Sequence, residues 1–79
     1  MNKLIKILIA DDHAIVRQGL KQIVTDETGM EVTAEASNSA EVFSLLEKDE
    51  WDILILDINM PGISGLEALK QIKSNYPHL

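Results

Sequence analysis

Three aspartates stand where short apolar runs end. Asp11 and Asp12 follow the run from Leu4 to Ala10, and Asp57 follows Ile53-Leu54-Ile55-Leu56. Carboxylates grouped in this way suit a hard, oxygen-preferring cation. Mg²⁺ fits best, because it keeps several waters when bound by one or two carboxylates and so leaves positions for phosphoryl oxygens. In an open α/β sheet, ligands bind beyond the carboxyl ends of the strands, where strand order reverses. If the first strand lies between the second and third, the acids occupy adjacent strand ends, about 5 Å apart laterally. Carboxylates that close raise one another's pKa unless a cation joins them. Singly, each Asp is more often a helix cap or a turn residue. Together, on the productive ends of two buried strands, they are poorly explained by capping.

Other chemistries fit less well. Asp57, Asn59 and Gly62 match loop positions 1, 3 and 6 of an EF-hand, but Pro61 and Ala68 stand at positions 5 and 12, and a strand precedes the loop instead of a helix. A phosphatase of the haloacid dehalogenase type also uses an Asp nucleophile after a buried strand. It needs a second acid two residues on, and Asn59 cannot shuttle that proton. No glycine-rich phosphate loop of the Walker or Rossmann type is present.

The positioning elements alternate in type. Leu4 to Ala10 is a β-branched run that predicts a strand buried on both faces. Val16, Leu20, Ile23 and Val24 have helical spacing within 14–24, and Asp26, Thr28 and Gly29 stop that helix. Met30 to Ala36 alternates apolar and polar residues without exception, which predicts an edge strand with one wet face. Asn38 with Glu41 forms a capping-box pair ahead of Val42, Leu45 and Leu46, with Phe43 beside that stripe. Ile53 to Leu56 predicts another strand apolar on both faces, and Asn59-Met60-Pro61-Gly62 a loop. Ser64 and Glu67 suggest a second capping box before Leu66, Leu69 and Ile72, and Pro77 ends that helix. The order β-α-β-α-β-α implies right-handed crossovers and a parallel sheet with helices on both faces.

Composition limits what else the chain does. It has 79 residues, which is one small domain or a piece of one. Its net charge of −6 opposes a surface that grips nucleic acid or anionic lipid. With 46% hydrophobic and 25% charged residues it has globular composition, not that of a disordered acidic tail. Without Cys there are no disulfides, zinc knuckles or thiol nucleophiles. The first apolar run is too short to span a bilayer and lacks a signal-peptide cleavage site, so the expected location is cytoplasmic.

The segment Ile7-Leu8-Ile9-Ala10-Asp11-Asp12-His13, then Ile55-Leu56-Asp57-Ile58-Asn59-Met60-Pro61-Gly62, then Gly65, resembles the receiver domain of bacterial two-component response regulators. Val16-Arg17-Gln18-Gly19-Leu20 after the paired acids is similar to the subfamily carrying a LuxR-type helix-turn-helix output. The resemblance implies that Asp57 is the phosphoacceptor, attacking a phosphohistidine on a sensor histidine kinase. It implies Mg²⁺ bound by Asp12 directly, by Asp11 through a water, by Asp57, and by the backbone carbonyl of Asn59. It also implies phosphorylation-dependent signal transduction and transcription regulation through a DNA-binding output domain, without an enzyme activity of the fragment's own.

A complete receiver has the flavodoxin-like strand order 2-1-3-4-5. Its switch Ser/Thr and phosphate-binding Lys follow the fourth and fifth strands, and Lys70, Lys73 and Ser74 lie in a helical pattern that cannot replace them. The expectation is therefore an α/β, truncated flavodoxin-like (receiver) fold. It has three parallel strands in order 2-1-3 with three helices, and residues 1–79 form a partial receiver domain of three βα units. A fragment of this kind is expected to accept phosphate poorly. Its third strand also reads as central yet has no partner on its far edge, which implies that the natural protein continues, or that a homodimer forms through that edge or by exchange of an element. A self-association module without phosphoryl chemistry is the alternative reading.

Several residues have plainer expectations. His13 reads as a neutral, solvent-facing imidazole, Trp51 as a lid on the core edge, and Glu47, Asp49, Glu50 and Asp52 as a solvated loop. Met60 reads as packing, and Tyr76 as a cover for the apolar side of the last helix.

Overall fold

In the computed structural model, which describes residues 4–79, the first apolar run becomes the central strand β1, Ile5–Ala10. It is followed by α1 (Ala14–Thr25), β2 (Met30–Ala36), α2 (Ser39–Lys48), β3 (Ile53–Leu56) and α3 (Gly65–Asn75). The strands form one parallel sheet in the order β2-β1-β3, as expected. Only a central strand has both ladders filled and both faces covered, and Ile7, Leu8, Ile9 and Ala10 are correspondingly buried. Leu4 lies outside β1, and it and Ile5 stay exposed, so double burial begins at Ile7.

Alternation along β1 divides the core in two. Leu8 and Ala10 meet Val42 and Leu46 of α2, Ile72 of α3 and Trp51 on one face. Ile7 and Ile9 meet Val24 and Leu20 of α1 on the other. Tyr76 and Met60 pack against the first cluster, and Trp51 is buried in it, as their sequence context suggests.

The alternating segment behaves differently from its pattern. Its register against β1 slips between Ile7 and Leu8: Ile7 pairs with Val32 but Leu8 with Ala34, leaving Thr33 as an extra residue. A bulge of this kind turns the strand over. Met30 and Val32 therefore face the α1 side, while Ala34 and Ala36 face the α2 side. The expected single wet face is broken, and Glu35, paired with Ile9, faces α1.

The helices bury narrower stripes than their apolar content predicts. In α1, Leu20 and Val24 reach the sheet, but Val16 and Ile23 remain exposed. In α3, Ala68 and Ile72 are buried while Leu66 and Leu69 are exposed. Asn38 caps α2 as expected: its side chain accepts from Glu41 N–H at 2.9 Å, and Glu41 Oε1 accepts from Ser37 N–H and Oγ–H. Ser64 supplies only its carbonyl to Ala68 N–H and makes no side-chain cap, so the second capping box is not formed. The start of α3 is fixed instead by close approach at Gly65, where a Cβ would fall on the backbone of Ile58. β3 pairs with β1 on one edge, and its other edge meets no strand among the described residues, with Ile53 38% exposed.

Candidate functional site

The ladders of β1 continue into the loops and place the acids. Asp11 N–H donates to the carbonyl of Ala36 and Asp57 N–H to that of Ala10, each at 2.9 Å. The two aspartates are thus held by backbone at neighbouring strand ends. Asp11, Asp12, His13 and Asp57 each contribute a donor atom to a group whose members all lie within 4.8 Å of one another. The side chains of Asp11 and Asp57 are 13% and 17% exposed, so the group forms a recess open to solvent, not a buried core feature.

Local hydrogen bonds orient each carboxylate. Asp11 Oδ1 accepts from His13 N–H at 2.8 Å, and Asp57 Oδ1 from Asn59 N–H at 2.9 Å. Each leaves its other oxygen free of a backbone donor. Neither Asp11 nor Asp12 is the N-cap of α1; that position is His13, which has an extended backbone and no side-chain cap bond. The donor set of three carboxylates with one imidazole matches the oxygen-rich preference of Mg²⁺ more closely than that of a sulfur- or nitrogen-seeking metal. Asn59 adds its N–H to the site through Asp57.

His13 differs from its plain reading. The ring is exposed, yet Nδ1 lies 2.9 Å from Asp11 Oδ1, 3.0 Å from Asp12 Oδ1 and 3.9 Å from Asp57 Oδ2. The hydrogen bond to Asp11, and then the charges of Asp12 and Asp11, push its pKa above the ordinary imidazole value. Asp11 in turn is held below the usual carboxylate range, chiefly by the His13 backbone N–H, with the His13 side chain and the Arg17 charge adding to it. The mutual raising expected of crowded acids is therefore reversed at Asp11, first by a backbone donor and then by the neighbouring His13 side chain and Arg17 charge. The signal in the sequence was the position of His13, immediately after two acids.

A second polar group lies beside the first. Arg17 donates through Nη1 to the carbonyl of Asp11 at 2.6 Å and through Nε to Glu35 Oε1 at 3.0 Å, while Lys21 donates to Glu35 Oε2 at 3.0 Å. Neither Glu35 nor Lys21 carries a signal in the sequence, since the bulge that brings Glu35 under α1 leaves no mark on the alternation. At the opposite end of the sheet, the acidic loop is more ordered than expected. Asp52 Oδ2 accepts from Lys6 N–H at 2.8 Å, and Asp49 pairs with the Lys6 ammonium.

Comparison with known proteins places these features in context. The family model for the response regulator receiver domain matches residues 7–79. The chain is 39% identical over 74 residues to a nitrate/nitrite response regulator protein homolog of Haemophilus influenzae, covering 94% of this chain and 36% of that protein. It is 42% identical over 71 residues to the transcriptional regulatory protein YdfI of Bacillus subtilis, covering 90% of this chain and 33% of that one. The chain thus spans about a third of the length of these relatives. Among solved structures, the isolated REC domain of RcsB from Salmonella enterica serovar Typhimurium, with phosphomimetic BeF₃⁻, superposes with a TM-score of 0.92 at 31% identity. That match covers 98% of this chain and 58% of the other.

Proposed function

The chain belongs to the response regulator receiver domain family, and on that premise we propose that Asp57 is its phosphoacceptor. The observation that carries the reading is the convergence of Asp11, Asp12 and Asp57 within 4.8 Å at the carboxyl ends of β1 and β3. Asp57 Oδ1 is occupied by Asn59 N–H, so Oδ2 is the oxygen available for attack. It attacks the phosphorus of a phosphohistidine on a sensor histidine kinase. The P–N bond breaks with its electron pair going to the imidazole, and a P–O bond forms, giving an acyl phosphate on Asp57.

Mg²⁺ would be held by Asp11, Asp12 and Asp57 with the backbone carbonyl of Asn59. When bound, Mg²⁺ neutralises charge on the nucleophile and on the phosphoryl oxygens. Asp11, gripped by Ala36 and His13, keeps the loop in place, and the Asn59 N–H fixes one oxygen of the Asp57 carboxylate.

Residues 1–79 are the first three βα units of a receiver in a longer, cytoplasmic regulator whose output domain binds DNA. The relatives named as transcriptional and nitrate/nitrite regulators support this reading, and the net charge of −6 argues that this segment itself does not touch nucleic acid. The protein is a signalling component, not an enzyme with its own turnover. Asp57→Asn removes the nucleophile while preserving shape. In the full-length protein, acetyl phosphate labels the wild type and leaves this variant unlabelled; equal labelling of both overturns the assignment.

The free edge of β3 favours a second reading, a homodimer formed through that edge or by exchange of an element. Sedimentation as a dimer, with no labelling of the full-length wild type, would select self-association without phosphoryl chemistry.

A further inference from the structure

The half-buried Arg17 joins three separate elements. It stands one turn into α1, and its guanidinium reaches the backbone at the end of β1 and the carboxylate of Glu35 on β2. Its side chain is 20% exposed, which separates it from an ordinary surface ion pair. Glu35 uses both of its oxygens, one for Arg17 and one for Lys21, a turn further along α1. Those two hydrogen bonds, from Lys21 first and Arg17 second, hold its carboxyl below the usual range and so keep it charged.

The atom that Arg17 grips on β1 is what matters. The carbonyl of Asp11 belongs to the same planar unit as the amide nitrogen of Asp12, so fixing that oxygen fixes the plane from which Asp12 emerges. The amide nitrogen of Asp11 is already held by Ala36 at 2.9 Å, on the same edge strand that carries Glu35. With both sides held, neither the Asp11 peptide nor the next can rotate without breaking a hydrogen bond. We propose that Arg17 is the positioning residue of the acid cluster, anchored by Glu35, and that it presents Asp12 to the cation. The inference rests on the metal site proposed above.

The fork geometry is required in addition to the charge. Arg donates in two directions from one rigid plane, whereas a Lys ammonium is a point charge on a flexible stem. Groups that orient metal ligands from behind typically change metal affinity by about 10–100-fold when removed.

The test uses the full chain and two readouts. The first is Mg²⁺ titration by calorimetry; the second, without metal, is amide hydrogen exchange at His13, whose N–H donates to Asp11, with Asp57 N–H on the β1 ladder as internal reference. Arg17→Ala and Arg17→Lys are expected to weaken Mg²⁺ binding by about tenfold or more and to speed His13 exchange without changing that of Asp57. Glu35→Gln, which keeps the shape and loosens the anchor, gives a smaller loss in the same direction. Trp51→Phe, at the far end of the sheet, lowers stability and leaves Mg²⁺ affinity unchanged, which separates positioning from general loosening. Circular dichroism confirms that each variant folds, and the Lys and Gln variants decide the matter if Arg17→Ala does not. Mg²⁺ affinity within twofold of wild type in Arg17→Lys, or unchanged His13 exchange, overturns the proposal. If the wild type itself fails to bind Mg²⁺, the metal site falls, and the exchange readout alone decides whether Arg17 fixes the loop.

Discussion

At the carboxyl end of the sheet three carboxylates face one another with one exposed imidazole among them. At the amino end, Asp49 and Asp52 are both engaged with Lys6, whose ammonium also lies 5.1 Å from the Trp51 ring, while the indole N–H donates to the carbonyl of Leu45 at 3.0 Å. Both ends are rich in acid, but among the described residues it is at the carboxyl end that three carboxylates and an imidazole gather within 4.8 Å of one another. Pairing at the amino end closes the core beside Trp51. At the carboxyl end, Asp11 and Asp57 each keep one carboxylate oxygen free of a backbone donor. The two ends differ in where their acids stand on the strands, not in how many acids they carry.

The largest effect should arise at the paired end. Trp51→Ala removes a buried side chain from the larger core cluster, and its cost is expected at about 3–5 kcal/mol in a denaturant titration. A loss below about 1 kcal/mol would mean that Trp51 is only a surface lid. At the crowded end the sign should reverse. Asp12→Asn relieves repulsion within the cluster, so the melting temperature should rise slightly while Mg²⁺ affinity falls by about tenfold or more, a change of about 1.4 kcal/mol. Calorimetry and a thermal melt on the same sample check both signs. A fall in both would make Asp12 a structural residue.

The smallest effect is one of pH. The His13 pKa is raised, first by its hydrogen bond to Asp11 and then by the charges of Asp12 and Asp11. The stabilisation this brings is fully present below about pH 6.5 and is lost as pH rises through the higher folded-state value. Asp11 runs the other way: its lowered pKa favours the fold above the ordinary carboxylate value of 3.8 and loses that effect as pH falls through the folded value. In an NMR titration, Asp11→Asn should move the His13 midpoint down toward the ordinary imidazole value. An unmoved midpoint would assign the raised pKa to another neighbour.

How far the residues announced all this depends on the kind of information involved. Strand order, the α2 cap at Asn38 and the grouping of Asp11, Asp12 and Asp57 were legible, because each follows from periodicity, a local motif or topology. Burial along α1 and α3 was not. Helical spacing identifies a stripe, but the sheet contacts only part of it, so Val16, Ile23, Leu66 and Leu69 stay exposed. The Ser64 cap failed because close packing at Gly65 set the turn first. His13 needed the positions of three acids to be known together. Arg17 and Glu35 needed a bulge that no alternation of residue types displays.

That unpaired residue in β2 also bears on how such chains change over generations. The residues after Thr33, from Ala34 to Ala36, take their phase from the pairing of Ala34 with Leu8. Losing Thr33 alone would make the ladder regular, with Val32 still opposite Ile7 and Ala34 opposite Leu8, so Glu35 would still face α1 and the alanines α2. An added residue that pushed Thr33 into the place opposite Leu8 would shift that phase by one and turn Glu35 toward α2. Among descendants of this sequence, the bulge should therefore tolerate loss of its extra residue, whereas insertions should collect in the turns.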